Sequence, residues 1–310
     1  MFIGGERMNK GLRDFLIILL CVVVVSIGVG GTLIKNHWDG WNFWTEKGDY
    51  HQDINKEKSI QLGSAEEIYI DSKTSKITLI PEDRQDIRVS LSGSITSFLP
   101  ITEPELNLES SGNKINITLK DNFKIFTGAN NIKLDVYIPK NYNKDIKVKN
   151  ITGSVNIGDI TLDDLDIDTT TGKIILENLF INKLDVSCTT GSLEVSSVKT
   201  SETKVKLTTG SGKFNDFTGD LDVKGTTGSF DIGYKEFNND INAKVTTGSI
   251  TIRLPEKSEF KLNAHATTGK ISCDFPINIS ESSKSKLEGQ VGSGNNSVDL
   301  DVTTGGISIR

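Results

Sequence analysis

The densest group of side chains able to do chemistry is acidic. Asp159, Asp163, Asp164, Asp166 and Asp168 crowd one short stretch, and closely spaced carboxylate oxygens are the ligands that Ca²⁺ prefers. The glycine-rich nonapeptide of calcium-binding β-helices is absent, however, so the stretch reads as a solvated acidic face. The histidines are scattered: His37 and His51 precede the main body of the chain, and His265 stands alone within it on an outward-facing position. No nucleophile motif, zinc-ligand spacing or phosphate loop occurs. The reading is therefore of a protein with no catalytic residue, no metal ligand and no cofactor.

What the sequence does carry is a repeat. The chain returns eight times to a Thr-Gly step, usually Thr-Thr-Gly-(Ser/Lys), at Gly153, Gly172, Gly191, Gly210, Gly228, Gly248, Gly269 and Gly305. Successive glycines lie 19, 19, 19, 18, 20, 21 and 36 residues apart, the regularity of an internal repeat. Seven, five and three residues before Gly191 stand Leu184, Val186 and Cys188; two and four after it stand Leu193 and Val195. The same columns are apolar in nearly every repeat. Alternation with period two on both sides of the glycine predicts two strands per repeat, each with one buried and one wet face.

Glycine suits the corner between those strands because it takes positive φ without strain. A Gly-Ser pair also suits a hairpin turn, so an antiparallel meander competes with a β-solenoid. A meander of so many strands would need a second layer over its apolar face, and the sequence supplies no helix for it. The expected fold is all-β: a β-solenoid whose coils stack at roughly 4.8 Å, with threonines in register along the stack. In each Thr-Thr pair one side chain is expected to point in and the other out, which argues against a flat ice-binding array. Cys188 and Cys273 fall on inward columns and are expected to be buried and too far apart for a disulfide.

The glycine repeats define a solenoid over residues 150–310. Residues 65–149 read as degenerate capping coils, with Ser75 in a glycine place and a looser match around Gly112. A loop over Gly93–Glu105, containing Pro100 and Pro104, interrupts them.

The first 64 residues are of another kind. Phe15–Ile34 carries no charge over 20 positions, long enough to cross a bilayer as one helix. Arg7, Lys10 and Arg13 precede it, so positive-inside bias puts residues 1–14 in the cytoplasm and the repeats outside. Trp38, Trp41, Phe43 and Trp44 follow as an interfacial aromatic belt, and residues 35–64 read as a flexible stalk. A cleaved signal peptide remains the alternative for the apolar segment. Net charge is −6, and the basic N-terminal segment leaves the rest more acidic still, which argues against nucleic acid as a partner.

The TTG(S/K)-hydrophobic-x-hydrophobic unit, recurring behind one N-terminal membrane helix, resembles the bacterial β-strand-repeat family named "putative adhesin". The resemblance spans about residues 65–310 and implies a Gram-positive, membrane-anchored solenoid, in some members linked to cell-envelope stress systems. It carries over no catalytic residue. The expected function is a non-enzymatic extracytoplasmic interaction protein whose partner is an envelope protein or a glycan. The alternative is an envelope carbohydrate-active enzyme on a β-helix scaffold, with outward carboxylates converging on one face. Because the sequence stops at Ile307–Arg310 in mid-strand, self-association through an open C-terminal coil is also expected.

Overall fold

The computed structural model describes residues 50–97, 101–120 and 127–310, all within the unit Asp49–Arg310. The expected membrane helix and its flanks up to residue 49 lie outside the described residues. Among the described residues no helix is long and apolar enough to cross a membrane, and every regular element is a strand. In chain order these are β1 (Tyr50–Gln61), β2 (Glu67–Thr74), β3 (Lys76–Glu82), β4 (Asp86–Ser97), β5 (Glu105–Ser111), β6 (Lys114–Lys120), β7 (Thr127–Pro139), β8 (Asp145–Thr152), β9 (Val155–Tyr234), β10 (Ile241–Arg253), β11 (Phe260–Cys273), β12 (Asn278–Ser282), β13 (Lys286–Val291) and β14 (Asn296–Ile309). β9 is one uninterrupted extended run that winds from the coil of Gly153 into that of Gly228, because its bends are corners and not loops.

Pairing between coils is parallel and like-on-like. Ile241, Ala243 and Val245 of β10 lie over Leu221, Val223 and Gly225 of β9, and Gly248 lies over Gly228. β8 sits in the same register on β9, Ile146 against Leu165 and Val148 against Ile167. That arrangement is a solenoid and excludes the meander. The apolar columns are buried: Leu165, Ile167, Ile174 and Leu176 are at most 1 % exposed, while the residues between them face water.

The four coils from Gly153 to Gly210 have one more inward side than the sequence pattern suggests. Seven and nine residues after the glycine stand Ile160 and Leu162, Leu179 and Ile181, Val198 and Thr200, Phe217 and Gly219, all buried. They follow a second corner six residues after the glycine, where Asp159, Asn178, Ser197 and Asp216 take φ of 57°, 53°, 53° and 51°. Short polar side chains are the non-glycine residues that best tolerate this left-handed region, because they hydrogen-bond locally.

Spatial order departs from chain order at both ends. The coil made by β2 and β3 lies beneath β8 and the start of β9, and β6 and β7, later in sequence, lie beneath it. At the other end β14 is inserted between β10 and β11, parallel to both. Antiparallel strands finish the stack: β4 on β7, β1 on β4 and β5 on β6 at one end, β13 on β11 and β12 on β13 at the other.

Four expectations change accordingly. Tyr50–Gln61 is strand β1, so the stretch read as stalk enters the sheet from residue 50, anchored by buried Ile54. Strand β4 continues to Ser97, past Gly93, whose carbon lacks a side chain where the Asn131 carbonyl passes. Gly112 closes the antiparallel β5–β6 hairpin and is no solenoid corner. Finally, Ile307–Arg310 is no open edge. Arg310 N donates to Ile252 O at 2.9 Å on one side, and Asp274 N donates to Ile309 O at 2.9 Å on the other.

Candidate functional site

The repeated glycines form one column at the first corner, and two constraints hold them there. Gly153, Gly210, Gly228 and Gly248 have φ between 132° and 148°, and the space for a Cβ is already filled. A methyl on Gly172 would lie 1.7 Å from Gly153 O, on Gly210 1.7 Å from Gly191 O, and on Gly248 1.6 Å from Gly228 O. The column then runs through Gly305, 1.5 Å above Gly248 O by the same measure, to Gly269, 1.5 Å above Gly305 O. Gly153 itself rests on Ser75 O, which places Ser75 in the glycine role expected of it. Gly191 stacks between Gly172 and Gly210 in the same way. These residues position the chain; none of them presents a reactive group.

Both threonines of each pair are exposed, as at Thr189 and Thr190, Thr208 and Thr209, Thr246 and Thr247. The in-out alternation expected for them fails because the last inward residue is three before the glycine, and the chain is already turning the corner at the two positions that follow. The outer faces otherwise carry side-chain ladders from coil to coil. Asn178 Nδ2 donates to Asp159 Oδ1 at 3.0 Å and Asn182 Nδ2 to Asp163 Oδ1 at 3.1 Å. Ser249 Oγ donates to Ser229 Oγ at 3.0 Å.

The acidic stretch does not converge on a point. Asp159 and Asp163 are engaged by asparagines one coil on, Asp164 N donates to Asp145 Oδ1 at 3.3 Å, and Asp166 pairs with Lys147. Among the described residues no three or more His, Cys, Asp or Glu side chains are grouped to hold a metal ion. Burial pushes the Asp145 carboxyl above the usual range, opposed by the Asp164 backbone hydrogen bond and reinforced by the Asp164 and Asp163 charges. Burial also raises Asp185, with the Asp166 charge adding to it and Lys204 opposing. Lys147, Asp166, Asp185 and Lys204 occupy equivalent positions on successive coils, so this carboxylate pair is flanked by a cation at each end.

Cys188 is buried and unpaired; Cys273 is unpaired and half exposed. Its inward column is the expected one, but β11 is the outermost parallel coil and leaves it incompletely covered. His265 is likewise half buried, with Nδ1 3.6 Å from Asp301 Oδ1.

The stacked coils fall within residues 65–310, which match the family described as "Toastrack DUF4097". The chain belongs to the Toastrack DUF4097 family. Among solved structures, this Toastrack chain resembles a "putative adhesin" from Bacteroides fragilis at 14 % identity, covering 83 % of this chain and 97 % of that one with a TM-score of 0.47. It resembles a "putative cell adhesion protein" from Clostridium sporogenes at 12 % identity, covering 83 % and 99 %, TM-score 0.31. A third likeness is to a "putative lipid binding protein" from Parabacteroides distasonis, 14 % identical over 82 % and 94 %, TM-score 0.36. No curated protein matches the sequence.

Proposed function

We propose that the chain is a non-enzymatic interaction protein, held at the outer side of a cell membrane by a helix over residues 15–34, that presents its solenoid to an envelope protein or glycan. The observation that carries this reading is the register of the stack. Glycine corners packed against the carbonyl below, with parallel pairing on both sides, fix each outward side chain at intervals of roughly 4.8 Å. Such a scaffold loses little conformational freedom when it binds. The family membership agrees with it, since the family resemblance points to cell-surface interaction and offers no catalytic machinery.

The test is cross-linking on intact cells. Cysteines at exposed Thr190, Thr209 and Thr247, in a Cys188→Ser, Cys273→Ser background, should react with a membrane-impermeant maleimide and capture an envelope component identified by mass spectrometry. Labelling only after lysis would overturn the membrane topology. Capture of nothing from intact cells would overturn an envelope protein as the partner, since a maleimide does not couple to a neutral glycan.

A further inference from the structure

Three concavities line up along the second corner of the coils. The first, about 490 Å³, reaches Asp159 and Glu177. The second, about 340 Å³, is lined by Asn178, Phe180, Ser197, Lys199 and Asp216. The third, about 410 Å³, shares Asp216 and Lys235 with the second and ends at Arg253. The shared residues make the second and third one furrow, which includes Phe180. It crosses the coils of five successive repeat glycines, Gly172 to Gly248, a length of about 19 Å at the usual interstrand spacing.

We propose that this furrow is a binding site for an extended, uncharged polysaccharide strand, with Phe180 as its stacking platform; the proposal rests on the interaction reading above and gives it a site. Direction is the first argument. The furrow runs along the stack, across the strands, whereas an extended peptide docks by adding a strand along a sheet edge. Charge is the second. Lys199 and Lys235 are interleaved with Asp216 and Glu236, so a polyanion would meet carboxylates among the cations. A neutral chain of hydroxyls and amides meets donors and acceptors instead.

Phe180 is the third argument. Its ring is 59 % exposed, in a column where the neighbouring coils carry Thr161 and Lys199. An aromatic face among polar groups is complementary to a pyranose, which has a C–H face and a hydrogen-bonding rim. The second corner supplies that rim: Asn178, Ser197 and Asp216 present an amide, a hydroxyl and a carboxylate from successive coils, their backbones fixed in the left-handed conformation.

The experiment uses the full chain in a detergent without a sugar headgroup, titrated with chitohexaose and with cellohexaose by saturation-transfer NMR. At least one hexamer should receive saturation and bind more tightly than its monosaccharide. Phe180→Ala should weaken binding by about tenfold or more, and Phe180→Trp should retain it. Thr209→Ala, on the first corner, should leave it unchanged, with unaltered thermal unfolding certifying each variant. Binding that ignores Phe180→Ala, or that is lost in Thr209→Ala, overturns the site. Failure of both hexamers to bind overturns the ligand class, and capture of an envelope protein by the first-corner cysteines would then leave the interaction reading standing without this furrow.

Discussion

At the first corner, one hydrogen atom decides between a stacked coil and a steric clash. Gly210→Ala puts a methyl 1.7 Å from Gly191 O at a φ of 147°, so the coil must open; a loss of about 3 kcal/mol or more is expected in denaturant unfolding. Gly306→Ala is the control, since its nearest heavy atom is 3.6 Å away; it should shift stability by less than about 1 kcal/mol. The second corner was not legible in the sequence. Asp159, Asn178, Ser197 and Asp216 are of types common on any wet surface, and nothing about them singly announces a left-handed backbone. Titration at this scale has a predictable sign. The Asp145 carboxyl is raised in the folded state, chiefly by burial, so the folded chain holds its proton to higher pH than the unfolded chain does. Stability from this group is therefore present at low pH and lost as pH rises through the folded value. Asp145→Asn should melt higher than the parent at pH 7, and the gap should close below about pH 4.

Among the elements, packing is a matter of neighbours about one coil apart. Gly212 and Gly225 sit on columns that other coils fill with apolar side chains, and Phe230 fills the room both leave. A methyl on Gly212 would lie 2.5 Å from Phe230 Cδ1, and one on Gly225 2.6 Å from Phe230 Cε2. Phe230→Ala should cost about 3–5 kcal/mol. Gly225→Ala should be destabilising in the parent and much less so with Phe230→Leu, a coupling of about 1–3 kcal/mol in a double-mutant cycle. Period-two alternation revealed the columns on both sides of the glycine, because there the buried residues are aliphatic and the intervening ones polar. The third inward side escaped that test. Its buried positions include Thr200 and Gly219, and Thr200 is satisfied by Thr203 at 2.8 Å, a pairing that only the fold brings about. Toward the C-terminal end aromatic rings take over this side. Phe214, Phe217, Tyr234, Phe237, Phe260 and Phe275 meet edge to face with centroids 5.2–6.2 Å apart, and Tyr234 donates its hydroxyl to Gly219 O at 3.0 Å.

For the molecule as a whole, the period gave away the solenoid, but not the order of its coils. The 36-residue gap between Gly269 and Gly305 reads along the chain as an interrupted final repeat. In space it is an excursion that goes out to β11, turns back through β12 and β13, and returns to lay β14 inside. The furrow was equally hidden, since its residues come from positions that look alike in the repeat until the second corner gathers them. Hydrogen exchange tests the coil order directly: backbone amides of Leu300–Ile309, last in sequence, should be among the slowest to exchange, and those of β12 among the fastest. This ordering bears on how the protein is made. A chain growing from its N-terminus lays down β10 and β11 before it has the strand that must lie between them. A product cut short before residue 296 is thus not a shorter tower but one lacking an inner storey. Closure of the fold waits for β14, and a copy that lacks it betrays itself through the mismatched edges it leaves exposed.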